Sequence, residues 1–510
     1  HLKSNGYGSC PNCTAAQAGL NYALTNSVTY TDERGGDHNY LVNTTTFVAT
    51  PPQGEFDSLA LDTPAAGQHT LTFRNGVRYI FQTVGAGSLK TTPGVIARLL
   101  QIADPYGNQL NFGYDSSGRL STIVDNLAIA GRTGLTFGYT GASTQISTLT
   151  DWTGRQWAYG YDSANNLNTV KNPLTFTTTY GYVAGTHNLT TITKPVARNG
   201  VAVTTTFSYY RNGKTFNYQD ALGDLESLDY DLFRKSTRVT DPRGFIREYE
   251  YDPSGRMTKL NEPDGGVLAF LNGPDGVRYS KTDGLGYVTQ YSYNSGKTFN
   301  SASDTAGNVT REQNALGQNV DTTYGIFDQV ASVTDKRGIT TTTSYFSAAG
   351  TCAVIGKPQT VTISTLAGTA NVKLIDYCWN TDGTLASRTE YIDQANAARK
   401  RTTSYTYQAG TSDLNVQTLT VTGATAGGSI VHTYQYDPLG RKTSDTLTRT
   451  TSATNAALLS LTTSYQYDAM DRVIQVTDPI GNYVVTTYDG NGKVSQVTGY
   501  YKQPNGTFVS

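Results

Sequence analysis

The sequence lacks a surplus of charge of either sign. Its 510 residues carry 39 Lys and Arg against 40 Asp and Glu, and charged residues make up only 15% of the chain. No long-range electrostatic field therefore draws the protein toward nucleic acid or anionic lipid. We expect no nucleic-acid partner.

Long apolar runs are also missing. No stretch approaches the roughly 18 consecutive apolar residues that a membrane helix needs, so we expect no membrane span. The start, His1-Leu2-Lys3-Ser4, has neither a methionine nor the hydrophobic region of a signal peptide. We therefore expect the numbering to begin inside a precursor or on a processed fragment.

Residues that carry chemistry are few and scattered. The chain has only five histidines, and no pair has the four-residue spacing of a zinc-binding helix. A Gly-x-Ser-x-Gly nucleophile elbow is absent as well. The sequence thus predicts no catalytic residue, no bound metal and no cofactor, and a protein that is not an enzyme. The five histidines are His1, His38, His69, His187 and His432.

Cysteine is scarce, with four residues that form an even set: Cys10, Cys13, Cys352 and Cys378. Together with the low charge, this favours a secreted or cell-surface protein. Cys352 and Cys378 lie 26 residues apart, and we predict that they form a disulfide between neighbouring strands. Cys10 and Cys13 are interpreted as a local disulfide or loose thiols, with a redox Cys-x-x-Cys motif or half of a zinc site as alternatives.

Turn and strand residues are abundant instead, with 52 Gly and 36 Tyr. An internal repeat organises them. Five acidic residues lie 21 residues apart, and a glycine follows each of them three residues later, which is typical of a repeat array. The acidic residues are Asp220, Asp241, Glu262, Asp283 and Asp304, and the glycines are Gly223, Gly244, Gly265, Gly286 and Gly307.

A second motif is interleaved with the first, about half a period away. It reads Tyr114-Asp115-Ser116-Ser117-Gly118-Arg119, and it recurs as Tyr251-Asp252-Pro253-Ser254-Gly255-Arg256 and Tyr436-Asp437-Pro438-Leu439-Gly440-Arg441. Weaker copies begin at Tyr161, Tyr230, Tyr467-Asp468 and Tyr488-Asp489. Each repeat therefore holds two turns and two strands.

The turn residues have a structural explanation. Asp can accept hydrogen bonds from backbone N–H groups in an Asx-turn, and Gly tolerates a positive φ three residues later. We expect each tyrosine to stack on its counterpart in the next repeat, and each arginine to pair with a turn carboxylate or lie over a ring. Calcium binding at stacked acidic turns remains the alternative for the aspartates.

Two regions are predicted. Residues 1–92 form a less regular region, with helix potential from Thr14 to Leu24 and a hairpin around Asn75-Gly76, for which a type I′ turn is favoured. Residues 93–510 form the repeat array. A single hairpin cannot bury its own face, so the hairpins must stack into one long antiparallel sheet. The fold class is all-β, and because strands twist, so wide a sheet must curl into a spiral shell or tube.

The Tyr-Asp-x-x-Gly-Arg units with interleaved Asp-Pro-x-Gly turns resemble the YD repeats of the Rhs family. Bacterial polymorphic toxins, the C component of insecticidal toxin complexes and the animal teneurins share them. The resemblance covers residues 93–510 and implies a sheet that spirals into a hollow shell, which in bacterial members encloses a toxic polypeptide. Family toxins add a core segment for aspartyl autoproteolysis and a variable toxin domain, and neither is visible after Asp478-Pro479-Ile480-Gly481.

The function predicted on these grounds is a non-enzymatic extracellular scaffold, the shell of a toxin-delivery protein. Its partners are an enclosed toxin polypeptide or like chains. The alternative is an adhesive filament that binds glycans, for which Trp152, Trp157 and Trp379 are the candidate stacking residues. A weaker alternative is a fragment of an aspartyl autoprotease.

Overall fold

The computed structural model describes most of the chain: residues 2–7, 25–43, 46–51, 57–92, 94–127, 132–196, 202–273, 276–293, 307–364, 371–392, 399–408, 414–422, 428–450, 457–503 and 505–509. These residues are strands and turns, with one 3₁₀ turn at Ile326–Asp328. The candidate helix Thr14–Leu24, the pair Cys10 and Cys13, and Asp304 lie outside the described residues.

The N-terminal strands are short and connected by irregular loops. They are β1 (Leu2–Tyr7), β2 (Thr25–Thr31), β3 (Asp37–Asn43), β4 (Ala49–Thr50), β5 (Ser58–Leu61), β6 (Gln68–Thr72), β7 (Arg78–Thr83) and β8 (Ile96–Ala103).

The first half of the regular array follows. Its strands are β9 (Gln109–Tyr114), β10 (Leu120–Asp125), β11 (Leu135–Tyr139), β12 (Ile146–Thr150), β13 (Gln156–Tyr161), β14 (Leu167–Lys171), β15 (Thr177–Tyr182), β16 (Leu189–Thr193), β17 (Thr204–Tyr209), β18 (Thr215–Gln219), β19 (Leu225–Asp231), β20 (Ser236–Thr240), β21 (Ile246–Tyr251), β22 (Met257–Asn261), β23 (Val267–Asn272), β24 (Arg278–Thr282) and β25 (Val288–Ser292).

The second half continues the same pattern. Its strands are β26 (Arg311–Gln313), β27 (Asn319–Tyr324), β28 (Val330–Thr334), β29 (Thr340–Tyr345), β30 (Pro358–Ser364), β31 (Asn371–Trp379), β32 (Leu385–Tyr391), β33 (Lys400–Tyr407), β34 (Val416–Thr422), β35 (Ser429–Tyr436), β36 (Lys442–Thr450), β37 (Ala457–Tyr467), β38 (Val473–Thr477), β39 (Tyr483–Tyr488), β40 (Val494–Lys502) and β41 (Phe508–Val509).

The sheet follows the order of the sequence. From β5 to β41 each strand pairs antiparallel with the next, which makes one open sheet of 37 strands. The predicted all-β fold, a long antiparallel sheet of stacked hairpins, is confirmed. The described residues contain no helix with the length and apolar character needed to cross a bilayer.

The strands β1–β4 form a separate antiparallel ribbon that joins this sheet at β8. Leu2 and Lys3 of β1 pair with Ala97 and Ile96, whereas residues 101–103 of β8 pair with β9. The single long strand β8 therefore carries two neighbours on one side. This branch point folds the ribbon back over the start of the array.

The most buried apolar side chains belong to this N-terminal part. Val28, Tyr40, Leu71 and Phe81 are almost fully buried in one cluster, whose other members are Leu2, Tyr30, Val42, Leu59, Leu61, Leu89, Val95 and Ala97. From β9 onward most described side chains are only partly covered, as expected for a sheet one layer thick. The cluster extends past residue 92 to Val95 and Ala97 and strand pairing also runs across that position, so the division at residue 92 stays a prediction.

The hairpin at Asn75-Gly76 differs from the prediction. Phe73 N–H donates to Val77 O at 2.8 Å and Gly76 N–H donates to Phe73 O at 2.9 Å. Only Gly76, at φ 82°, has a positive φ in this turn, whereas a type I′ turn requires positive φ at both central residues. The loop is a type I turn followed by a glycine bulge, so the type I′ prediction was wrong. The extra residue of the bulge relieves the need for a positive φ at Asn75.

Candidate functional site: the two turn edges and the seam between coils

The two interleaved motifs occupy opposite edges of the sheet. Because strands pair in sequence order and alternate in direction, every second turn lies on the same edge. We call the edge that holds turns 115–119, 252–256 and 437–441 the YD edge, and the edge that holds turns 104–108, 220–224 and 241–245 the DxxG edge.

Each Asp closes its own turn. Asp115 Oδ1 accepts N–H groups from Ser117 at 2.9 Å and Arg119 at 2.8 Å, and Gly118 N–H donates to Asp115 O at 2.8 Å. These bonds stabilise the charged carboxylate, and the backbone N–H of Arg119 is the largest cause that holds the pKa of Asp115 below its usual value.

The other sequence-predicted turn residues share this geometry. The Oδ1 atoms that accept two backbone N–H groups belong to Asp220, Asp241, Asp252, Asp283, Asp437, Asp468 and Asp489. The predicted turn glycines with positive φ are Gly118, Gly223, Gly244, Gly255, Gly265, Gly286, Gly307 and Gly440. Every one of these carboxylates is therefore engaged by its own backbone.

The YD tyrosines tie each strand to the one before it. Tyr114 OH donates to Leu99 O at 2.7 Å, and Tyr436 OH donates to Val416 O at 2.8 Å. Tyr467 and Tyr488 make the same bond to Lys442 O and Val473 O. Each of these strand pairs is joined by a turn at the DxxG edge only. The tyrosine hydroxyl therefore links the two strands at the opposite, YD edge.

Neighbouring YD turns are connected by the arginines. The expected connection was stacking of the YD tyrosines. Arg119 Nε donates to Asp115 Oδ2 at 2.7 Å, its Nη1 donates to Gly141 O at 2.9 Å, and its guanidinium lies 4.4 Å from the ring centre of Tyr139. Arg441 repeats the pattern with Asp437, Asp468 O and the Tyr467 ring. Arg256 bonds Asp252 and Gly273 O.

Contacts between residues far apart in sequence show that the sheet coils. Trp152 Nε1–H donates to Pro438 O at 2.8 Å across 286 residues, and Arg155 Nη1 donates to Asp471 Oδ1 at 2.7 Å across 316 residues. In both contacts a DxxG turn of the first coil meets a YD turn of the second. We call this line of contact the seam.

Other polar contacts extend the seam in both directions. Val196 N–H donates to Asn491 Oδ1 at 3.0 Å, and Asn491 Nδ2 donates back to Val196 O at 2.7 Å. Near the start of the array, Arg74 pairs with Asp328. Burial raises the pKa of Asp328, but hydrogen bonds from Arg74 and Asn308 outweigh it and leave that pKa lowered.

Apolar side chains of DxxG turns fill the seam between these bonds. The ring of Phe176 lies so close to Gly490 that a Cβ there would stand 2.5 Å from it. Tyr106 packs on Gly383 in the same manner, and Lys357 lies 3.8 Å from the centre of the Tyr106 ring. The seam is thus built from aromatic rings on one edge and turn backbone on the other.

The disulfide joins Cys352 to Cys378, with a Cα–Cα distance of 4.3 Å. Cys378 lies on β31, but Cys352 lies in the long YD-edge loop between β29 and β30. The expectation of two neighbouring strands was therefore wrong in detail. Trp379 N–H also donates to Cys352 O at 3.2 Å, so the bridge fastens the loop that supplies Lys357 to the seam.

The comparisons with known proteins agree with the repeat pattern. Residues 220–267 match the RHS Repeat family. This segment carries RHS repeats. The predicted resemblance to the Rhs/YD-repeat family is thereby confirmed, although the matched segment covers less than a tenth of the chain. No curated protein matches the chain.

Solved structures with a similar trace include the crystal structure of TcdB2-TccC3, with a TM-score of 0.41, 10% identity and coverage of 96% of this chain. A Photorhabdus luminescens Tc holotoxin pore gives a TM-score of 0.42 at 10% identity and 96% coverage. The chain spans 27% and 26% of the lengths of these two structures.

Sequence reasoning missed the seam residues of the repeat array. Trp152 was considered only as a glycan-binding ring. Neither Phe176 nor Tyr106 was singled out. The available signal is an aromatic residue inside a DxxG turn, where solvent exposure would otherwise be expected. Their partners, such as Asp471 and Asn491, have no local signature because a coil contact depends on how many strands fill one turn of the spiral.

Proposed function

We infer that this RHS chain is part of the wall of a hollow shell, and that its function is to enclose a polypeptide toxin until delivery. The observation that carries the proposal is the seam, because a ribbon that docks edge to edge on its own next coil surrounds a space. One of the structures with a similar trace is a Tc holotoxin pore, and the role as a toxin shell is our proposal for this chain.

The large solvent-accessible surface area supports a single-layer wall rather than a compact globular fold. The chain exposes 29010 Å², whereas a compact protein of 55.0 kDa exposes roughly 18000 Å². The excess is the second face of a single-layer sheet, which in a compact fold would be buried. A shell needs both faces, one toward solvent and one toward its contents.

Two further features favour a secreted or surface-exposed scaffold without catalysis. The disulfide Cys352–Cys378 is typical of oxidising compartments. The repeated aspartates are held by their own turns, so they lack the single preorganised constellation that an aspartyl autoprotease needs. Within the described residues no cluster of metal-ligating side chains supports calcium at the turns.

The glycan-binding alternative has less support. Trp152 and Trp379 use their indole N–H groups for Pro438 O and Pro358 O, and the Trp157 ring lies 5.6 Å from the Arg155 guanidinium. Rings held by internal partners are less available to stack on sugars.

Small-angle X-ray scattering tests the shell shape. A compact chain of this length has a radius of gyration near 24 Å, and we expect a clearly larger value with a distance distribution that is depleted at its centre. A value near the compact one would contradict the hollow wall.

Protease protection tests enclosure itself. An unfolded reporter peptide joined after residue 510 should be digested more slowly than the same peptide free in solution. The matched control is the double variant Trp152→Ala, Arg155→Ala, which opens the seam and should restore rapid digestion. Equal digestion rates for the wild-type fusion and the free peptide would refute enclosure while leaving the coiled fold intact.

A further inference from the structure

The DxxG edge continues beyond the seam. Seam contacts among the described residues use DxxG turns up to residue 196. The turns that follow are 220–224, 241–245, 262–266, 283–287 and 314–318, and we call them the outer DxxG rim. From β17 to β24 no seam contact of the described residues reaches the YD edge, so these strands also present a YD edge on the other side. We call this YD edge the outer YD rim, and it consists of turns 210–214, 232–235 and 252–256.

The outer DxxG rim repeats the apolar chemistry of the seam at the same turn positions. In the seam, Tyr106 is the third residue of its turn and Phe176 the fifth, and both are partly buried by the next coil. On the outer rim, three of the five third positions are leucines, Leu222, Leu285 and Leu316, and these side chains are 73%, 83% and 80% exposed; the other two are Arg243 and Asp264. The fifth positions include Phe245 and Tyr287, which are also exposed.

Such a row is unusual for a solvated turn. Isolated exposed leucines need no explanation, but exposed apolar side chains in four of five successive turns along one edge mark an interaction surface. An open groove of about 360 Å³ beside Phe245, lined among others by Asp241, Pro263 and Asp264, adds concave shape to it. A similar groove lies at the seam, where Phe176 and Gly490 meet.

Charge identifies the partner surface. The outer DxxG rim carries Asp220, Asp224, Asp264 and Asp283, whereas Asp241 and Glu262 are paired with Arg243 and Arg247. The outer YD rim of the same strands carries Arg211, Lys214 and Lys235, whereas Arg234 and Arg256 are paired with Asp231 and Asp252. One rim is acidic and the other is basic, so the two are complementary to each other.

We propose that the outer DxxG rim binds the outer YD rim of a second copy of this chain. The contact reproduces between copies the seam that the chain forms with itself: apolar third- and fifth-position side chains pack on the turn backbone of a YD edge, with acidic turns opposite basic ones. The two surfaces are different, so the contact is head-to-tail and propagates into a stack of coils. This proposal goes beyond enclosure of a toxin and does not depend on it.

Sedimentation velocity on the full chain tests the association. Interfaces of standard size commonly bind in the micromolar range or tighter, so a series up to about 100 μM covers the expected transition. We expect concentration-dependent dimers and longer stacks that weaken as salt rises, since surface charges are screened. A chain that stays monomeric across the series at low salt overturns the proposal.

Variants locate the two rims. The triple variant Leu222→Asp, Leu285→Asp, Leu316→Asp should raise the dissociation constant by more than about tenfold, because several apolar contacts are lost at once. The matched control Val48→Asp changes an apolar residue that is 61% exposed in the N-terminal body, and it should associate like the wild type. Unchanged association of the triple variant contradicts the proposal.

Mixing experiments guard against a variant that merely fails to fold. The opposite-rim variant Lys214→Glu, Lys235→Glu should also be monomeric alone. Each variant retains one intact rim, so an equimolar mixture of the two should form dimers and nothing longer. Absence of dimers in the mixture refutes a head-to-tail contact.

Zero-length carbodiimide cross-linking of isotopically mixed copies gives an independent readout. We expect links between copies from Asp224 or Asp264 to Lys214 or Lys235. Links confined to single copies, or links between copies that avoid these rims, would overturn the assignment.

Discussion

Trp152 donates its indole N–H to the carbonyl oxygen of Pro438 at 2.8 Å, although 286 residues separate them. Trp152 lies in a DxxG turn of the first coil, and Pro438 follows Asp437 in a YD turn of the second. Through this bond, the side chain of a DxxG turn contacts the backbone of a YD turn at the seam.

Removing this N–H should loosen the seam. We expect Trp152→Phe to keep the ring but lose the bond, with a local destabilisation of about 1 kcal/mol and faster hydrogen exchange at residues 437–441 and 151–155. Trp379→Phe is the control, because it loses an equivalent bond to Pro358 O within one coil. Faster exchange at 437–441 in the control as well would argue against a seam-specific role.

The two oxygen atoms of the Asp252 carboxylate make different hydrogen bonds in its YD turn. Its Oδ1 accepts N–H groups from Ser254 and Arg256, and its Oδ2 accepts from Arg256 Nε at 2.8 Å. We expect Asp252→Ala to lower the free energy of unfolding locally by around 1 kcal/mol. Asp252→Asn keeps a backbone acceptor and should cost less. Chemical denaturation of both variants measures the difference, and an equal cost would mean that the backbone bonds contribute little.

Reducing the Cys352–Cys378 disulfide should free the loop that carries Lys357. Closing a loop of 26 residues restricts the unfolded chain by about 3–4 kcal/mol in loop-closure entropy. We therefore expect the double variant Cys352→Ser, Cys378→Ser to unfold at lower denaturant concentration. Exchange protection should fall around Tyr106, since Lys357 lies over that ring. Wild type under reducing conditions should behave like the variant, whereas full protection around Tyr106 would contradict the coupling.

The N-terminal body should lose stability in mild acid because of His69. Burial lowers the pKa of His69 from 6.5 to about 4, with Asp62 N–H donating to Nδ1 and Thr83 Oγ1 bonded to Nε2. The unfolded chain binds the proton more readily, so stability is full above pH 6.5 and falls toward pH 4, by up to roughly 1.4 kcal/mol per pH unit. Below that range the folded state is protonated too, and the loss from this group levels off.

Thermal denaturation between pH 4 and 7 measures this effect. His69→Gln removes the titrating group while keeping a polar side chain, so its melting temperature should depend less on pH in that window. The same substitution at His432 serves as the control, because His432 is partly exposed and lies beside Asp445. An unchanged pH profile in His69→Gln would assign the acid sensitivity to other groups.

Local chemistry explains why much of the array could be predicted. Asp252 and Gly255 act within five residues of each other, so their types and spacing alone specify the turn. Strands of β-branched and aromatic residues between such turns can satisfy their backbone only by pairing with the next strand. The strand order and the two alternating turn classes therefore follow from the repeat.

The position of the disulfide was only partly determined in this way. The spacing of Cys352 and Cys378 indicates that they can meet, but the loop between β29 and β30 is an insertion without the repeat pattern. Whether Cys352 lies on a strand or beside one depends on how that insertion folds against Trp379.

The seam belongs to the tertiary structure alone. Trp152 meets Pro438, and Arg155 meets Asp471, only because the twist of each strand pair accumulates over the intervening strands until the coil closes on itself. A small change in twist per strand would shift the partner by a whole repeat. The amino-acid sequence by itself thus determined the turns, the strand order and the two edges, whereas the accumulated curvature of the sheet decided which turns of distant repeats lie in contact.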